Sequence, residues 1–197
     1  MLSATTLNRS QQKEHAISTQ TATSPIPPDD LARKLTHARP DDDQSLPHFA
    51  VVGDTYTILL SGRDTAGRYC LIDMLVPPGG GPPPHRHDFE ESFIVLEGEL
   101  TATFRGSPAM VGAGESIHIP ANAPHQFHNS GSHPVRMLCI CSPAGQENFF
   151  AEVGTSVATR TTPAPKLDTA AQTAFIAKAI ALAPQYRTEM LPPDHKS

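Results

Sequence analysis

The sequence predicts a mainly β protein, its strands rolled into a sandwich or jelly-roll barrel and followed by short helices. Three observations carry this. Eight or nine short runs rich in β-branched and aromatic residues recur between turn residues from position 49 to 141. Twenty prolines and thirteen glycines stand against only 18% charged residues, the composition of many turns rather than of a helical bundle. The length, 197 residues, gives one domain with a real core plus tails.

Taken in order, residues 1–45 read as a flexible arm. Its first 24 residues are rich in Ser, Thr and Gln and bury too little to offset ordering entropy. Within it, Asp29 to Ala38 predicts a short helix, with acidic residues at its start and Arg33, Lys34 and Arg39 late, ended by Pro40. Residues 46–145 read as the barrel. Strands are expected over Phe49–Val52, Tyr56–Ser61 and Tyr69–Val76, with 61–67 as a hairpin loop, then over Ser92–Glu97 and Leu100–Phe104 across a Gly98 turn. RGSP at 105–108 turns the chain, and Ser116–Ile119, His125–His128 and Val135–Cys141 complete the set. Closing such a sheet removes its exposed edges. Residues 146–197 read as a helical tail that packs on the barrel or on a partner subunit. Gln146–Val153 forms a helix stopped by Gly154, with Phe149 and Phe150 covering an open barrel end; Thr169–Ala183 forms a second, started by Thr169 and Gln172 and ended by Pro184.

Composition excludes some functions. A formal net charge of −5 leaves no basic stripe for phosphates, so a nucleic-acid partner is not expected. No apolar run approaches membrane-spanning length, and the first 20 residues have no hydrophobic centre. Three cysteines without an export signal fit reduced thiols and a cytoplasmic location. Cys139 and Cys141, alternating on one strand face, read as small buried hydrophobes.

The chemistry is concentrated in GGGPPPHRHDFEESFIVLEG, residues 79–98. Alternate side chains of an extended segment share a face, so His85 and His87 converge on one point. If alternation survives the DFE segment, Glu91 joins them; a shifted register would bring Glu90 instead. His125, after the turn in GAGESIHIPANAPHQFHN, offers a third imidazole. Three imidazoles and a carboxylate suit one divalent transition metal ion such as Fe, Mn, Ni, Co, Cu or Zn. Phe93, Phe127, Phe104 and Met74 are candidates to line an apolar substrate cavity beside it, and the Gly/Pro run to form its lip.

These two stretches resemble the motifs of the cupin superfamily. Gly79, His85, His87, Glu91 and Gly98 fall on every position of its first motif; Gly114, Pro120, His125 and Asn129 fall on its second, with Asn122 in place of a glycine. The resemblance implies a cupin-type double-stranded jelly-roll β-barrel and assigns the metal to His85, His87, Glu91 and His125. More narrowly, VPPGGGPPPHRHDFEESFIVLEGEL, IPANAPHQFHNSGSHPVRML and a C-terminal helix ending in YRTEMLPP resemble single-domain cupins of the quercetin 2,3-dioxygenase-like kind. That likeness implies a dioxygenase taking dioxygen and a small aromatic or enolisable substrate, with Glu91 as general base. The rival readings are a metal-dependent isomerase, decarboxylase or lyase, and a small-molecule-binding cupin without catalysis. A homodimer is expected, because Ile94 and Leu96 make the strand that carries Phe93 apolar on its other side as well.

Overall fold

The structure is a computed structural model that describes residues 26–192 except Asp42 and Val52. The expected flexibility of residues 1–24 lies outside the described residues, as do Val52 and the last five positions. The first of two units ends at Ala32; its described part, 26–32, has no regular element beyond a turn. The predicted helix over 29–38 does not form. Leu31 and Leu35 are exposed, and ten residues without a buried face fall below the length that holds a helix in water.

The second unit, from Arg33 on, holds the barrel. Its strands run β1 (His48–Val51), β2 (Asp54–Leu60), β3 (Cys70–Val76), β4 (His85–His87), β5 (Glu90–Glu97), β6 (Glu99–Phe104), β7 (Ser107–Gly112), β8 (Ser116–Ile119), β9 (His125–His128), β10 (Val135–Ser142), β11 (Thr155–Ser156) and β12 (Thr188–Met190). They form two antiparallel sheets, ordered β11-β1-β2-β3-β10-β5-β8 and β12-β4-β9-β6-β7. The inner faces alternate apolar residues, such as Ile72, Met74 and Val76 on β3 and Met137, Cys139 and Cys141 on β10, all buried. This is a mainly β jelly-roll barrel with helices in the C-terminal tail, the fold class expected from the turn spacing.

Several local expectations are corrected. The loop 61–67 contains a one-turn helix α1 (Gly62–Thr65), because Asp64 folds back to accept from the Ser61 N–H (2.8 Å) and hydroxyl (2.7 Å). The turn at 105–108 opens directly into β7, an edge strand whose Pro108 needs no ladder partner on its free side. β12, which no alternation announced, adds to the free side of β4, pairing Thr188 with His87 and Met190 with His85.

Helix α2 (Gln146–Val153) stands where Gln146 to Val153 predicts it, with Phe149 and Phe150 buried on the barrel. Helix α3 (Thr169–Leu182) is capped by Asp168, whose Oδ1 accepts from the Ala171 N–H at 2.8 Å; Thr169 is its first turn, not its cap. A 3-10 turn over Ala183–Tyr186 carries the chain through Pro184 into β12. Phe175, Ala179 and Leu182 pack on the core, whereas Ile176 and Ile180 remain about half exposed. No helix among the described residues is long and apolar enough to cross a membrane.

Candidate metal centre

Three imidazoles come from one sheet and the carboxylate from the other. β4 lies between β12 and β9, and its pairing with β9 sets His85 directly across from His125. Strand alternation sends Arg86 outward and His85 and His87 inward, where both are buried. After His87 the chain bends at Asp88 and Phe89 and crosses to the facing sheet, so Glu91 enters the barrel from β5. The inward direction of Glu91 thus follows from a change of sheet rather than from unbroken alternation. Glu90 points out and pairs with His118 at 2.9 Å on the surface.

The approach to β4 is rigid. At Gly81, φ is +125°, and a Cβ there would lie 2.2 Å from the Phe127 carbonyl oxygen, so only glycine lets 80–82 close on β9. Gly79 N–H donates to Asn129 O (2.8 Å) and Asn129 N–H to Gly80 O (3.0 Å), and the Asn129 amide ties Val76 O and His133 O. Asn122, standing where the motif has glycine, adopts φ +68° and donates its N–H to His87 O at 2.7 Å.

Each imidazole is oriented by its own backbone. Nδ1 of His85, His87 and His125 lies 2.9 Å from the carbonyl oxygens of Pro83, Phe89 and Ala123, respectively. A carbonyl only accepts, so each Nδ1 carries a proton and each ring turns Nε2 to the centre, where it donates to Glu91 when protonated and offers a lone pair to a cation when not. Phe89 stacks on His87 with centroids 3.8 Å apart. Glu91 Oε2 is 3.1 Å from His87 Nε2 and 3.0 Å from His125 Nε2. Its other oxygen, Oε1, accepts from the thiols of Cys139 (3.3 Å) and Cys141 (3.6 Å).

Burial, with His125 beside it, pulls the His85 imidazole down to about 3, so it is neutral. Burial alone would raise Glu91, but hydrogen bonds from His125 and His87 reverse the sign and hold the carboxyl well below its usual range. Burial likewise lowers His125, and Glu91 outweighs it to raise that imidazole. Burial pushes the Cys139 thiol up to about 12, so it stays a donor. The four donor atoms of His85, His87, Glu91 and His125 all lie within 4.8 Å of one another. Buried lone pairs of three imidazoles facing a carboxylate oxygen fit a divalent cation, which satisfies what is otherwise costly to desolvate.

Beside the centre lies a cavity of about 60 Å³. Met74, Phe93 and Phe127 line it, as do Pro82 and Pro83 of the approach. Phe104 does not: it shares the inward face of β6 with Leu100 and Ala102 but sits at the strand end, with the Arg105 guanidinium over its ring. Four further contributors, Tyr56, Gln146, and Phe175 and Met190 from α3 and β12, carry no sequence mark of a cavity role. The helical patterns of Gln146 to Val153 and of Thr169 to Ala183 indicate only that these segments pack on the barrel or a partner.

The sequence profile of the cupin domain family matches residues 72–141. The barrel is a cupin domain. Among curated proteins, this cupin is 28% identical over 100 residues to quercetin 2,3-dioxygenase of Bacillus subtilis, covering 50% of this chain and 29% of that one. It is 39% identical over 84 residues to auxin-binding protein 1 of Arabidopsis thaliana, covering 38% and 42%. The chain thus spans less than two thirds of the length of these relatives. Among solved structures, the polyketide cyclase RemF of Streptomyces resistomycificus superposes with a TM-score of 0.50 at 22% identity, covering 74% of this cupin and 99% of that chain. At that identity the likeness is one of fold.

Proposed function

We propose that this cupin is a mononuclear metal-dependent dioxygenase acting on a small enolisable substrate. The observation that carries the reading is the preformed four-donor set of His85, His87, Glu91 and His125 opening onto an apolar cavity through His85 and Glu91. Four protein donors leave coordination positions free, unlike a closed structural site. A transition ion held there supplies electrophilic activation of a substrate oxygen and of dioxygen.

The chain's own residues do the rest. Glu91, in contact with the cavity, is the acceptor for the substrate's enol proton, and His87 and His125 hold its Oε2 in place. Phe93, Phe127 and Phe150 exclude water from the electron-rich substrate. The likeness to quercetin 2,3-dioxygenase supports the reaction class. The cavity argues for a substrate smaller than a flavonol: about 60 Å³ is less than the roughly 150 Å³ that admits benzene.

Oxygen uptake by protein loaded in turn with Fe, Mn, Co, Ni and Cu, with quercetin and a panel of small enols, tests the reading. Uptake with at least one small enol, abolished by Glu91→Gln, is the expected result. Turnover that persists without oxygen would replace it with a lyase or isomerase acting through the same cation. Binding without turnover would place this cupin with small-molecule-binding relatives, a reading favoured by the 39% identity to auxin-binding protein 1.

A further inference from the structure

Five polar side chains line the cavity beside the metal centre: Tyr56, His85, Glu91, Gln146 and Thr188. Four are already committed. The Tyr56 hydroxyl donates to Asp54 Oδ2 at 3.0 Å, so the tyrosine offers the cavity only its ring. The Thr188 hydroxyl donates to Tyr186 O at 3.1 Å. His85 is held through Nδ1 and belongs to the four-donor set, and both oxygens of Glu91 have partners. Gln146 differs. It is 94% buried, counting its 6% residual exposure, and its Oε1 is shielded from solvent with no hydrogen-bond partner.

Its neighbour shows that this is not a general feature of the helix start. Glu147 is equally buried, yet its Oε1 accepts from Gly62 N–H (2.7 Å) and its Oε2 from Gly145 N–H (2.8 Å). A buried amide oxygen without a partner is costly to desolvate, and a bound ligand that brings a donor recovers that cost. A site built around such a group discriminates strongly against ligands that lack the donor.

We infer that Gln146 is the specificity residue of the cavity: its Oε1 accepts a hydrogen bond from a hydroxyl on the substrate, whose other end is an oxygen ligand to the cation. This rests on the proposed metal centre and narrows its substrate class. The class is a compact hydroxylated oxygen chelator, with no aromatic ring, since the remaining walls are apolar and the volume is below that of a benzene site.

Two hydroxamates that share one chelating group test this: acetohydroxamate, and glycolohydroxamate, which adds a hydroxyl. Their affinities are measured by calorimetry with cobalt(II)-loaded and metal-free protein. The loaded protein binds glycolohydroxamate about fivefold more tightly, the worth of one net hydrogen bond. In Gln146→Leu that preference disappears, while cation-dependent binding of acetohydroxamate, which has no hydroxyl for Oε1, still occurs and reports an intact barrel. Cation-dependent binding of both probes with no preference in the wild type, or a preference that survives in Gln146→Leu, overturns the inference alone. Absence of cation-dependent binding by either probe overturns the metal reading, and the inference with it.

Discussion

Asp54 is a fully buried carboxyl behind the cavity wall, and replacing it with asparagine gives a stability change whose size and sign follow from its surroundings. Its Oδ2 accepts from Tyr56, its Oδ1 makes no well-formed hydrogen bond, and Gly80 packs so close that a Cβ there would lie 2.4 Å from Oδ1. Burial raises its pKa from 3.8 to about 7, against the weaker opposing effects of the Tyr56 hydroxyl and the Gly81 amide. Below the unfolded value both states are protonated and nothing is lost. As pH climbs toward 7 the unfolded chain ionises first, so the folded state loses stability, and the loss is complete above the folded value. A shift of this size corresponds to about 4 kcal/mol. Asp54→Asn keeps an acceptor for Tyr56 and removes the titration. Urea unfolding of both proteins at about pH 5 and about pH 8 therefore gives a stability difference that moves by about 3 kcal/mol in favour of the variant at the higher pH. All other groups are common to the two proteins, so their contributions cancel. A difference independent of pH would refute the reasoning, because it would mean that Asp54 is ionised in the fold at all these pH values.

His125→Ala removes one of the converging nitrogens, and cation affinity measured by competition with a chromophoric chelator falls by more than the roughly 10- to 100-fold typical of losing an outer partner. Gly81→Ala must strain a φ of +125° and displace Phe127 O, which lies 2.2 Å from the new Cβ; thermal unfolding reports a loss of about 1–3 kcal/mol, and the cation affinity falls with it because β9 carries His125. Arg136 holds the fully buried Asp73 carboxylate through Nη2 at 2.6 Å and Nε at 3.1 Å, so Arg136→Ala destabilises by about 3 kcal/mol in urea, most of which Asp73→Asn restores in the double variant.

The barrel was legible where local pattern and burial agree, as on β3 and β10, whose alternating side chains face a common core. The three histidines were legible because the spacing of His85 and His87 and the Pro-His step at 125 are short-range features, whereas Glu91 rather than Glu90 came from the motif resemblance, since the chain changes sheet after His87. What stayed hidden was whatever depends on a partner far along the chain. β12 looks like nothing in isolation: Thr188 is buried only because β4 offers it an edge. Gln146 reads as an ordinary first helical residue until the cavity closes around it. The helix expected over 29–38 failed for the converse reason: its local signals were sound, and no burial followed.

The centre combines these two ranges of information. Both His85 and His125 follow a proline, and each gives its Nδ1 proton to the carbonyl of the residue before that proline, Pro83 and Ala123. Proline fixes its own φ and drives the preceding residue into extended backbone, so the Pro-His step aims that carbonyl at the ring and selects the tautomer locally. Glu91 has no such local guide. It sits on β5 with Cys141 directly opposite on β10, and the thiols of Cys139 and Cys141 occupy Oε1, leaving Oε2 for the histidines. The two cysteines read from sequence as small core residues are therefore also the groups that determine which carboxylate oxygen would face a cation. Two nitrogen donors set by adjacent prolines, a third held by the carbonyl of Phe89, and an oxygen donor set by the facing strand reach their positions through separate constraints, so the donor set is preorganised by the fold.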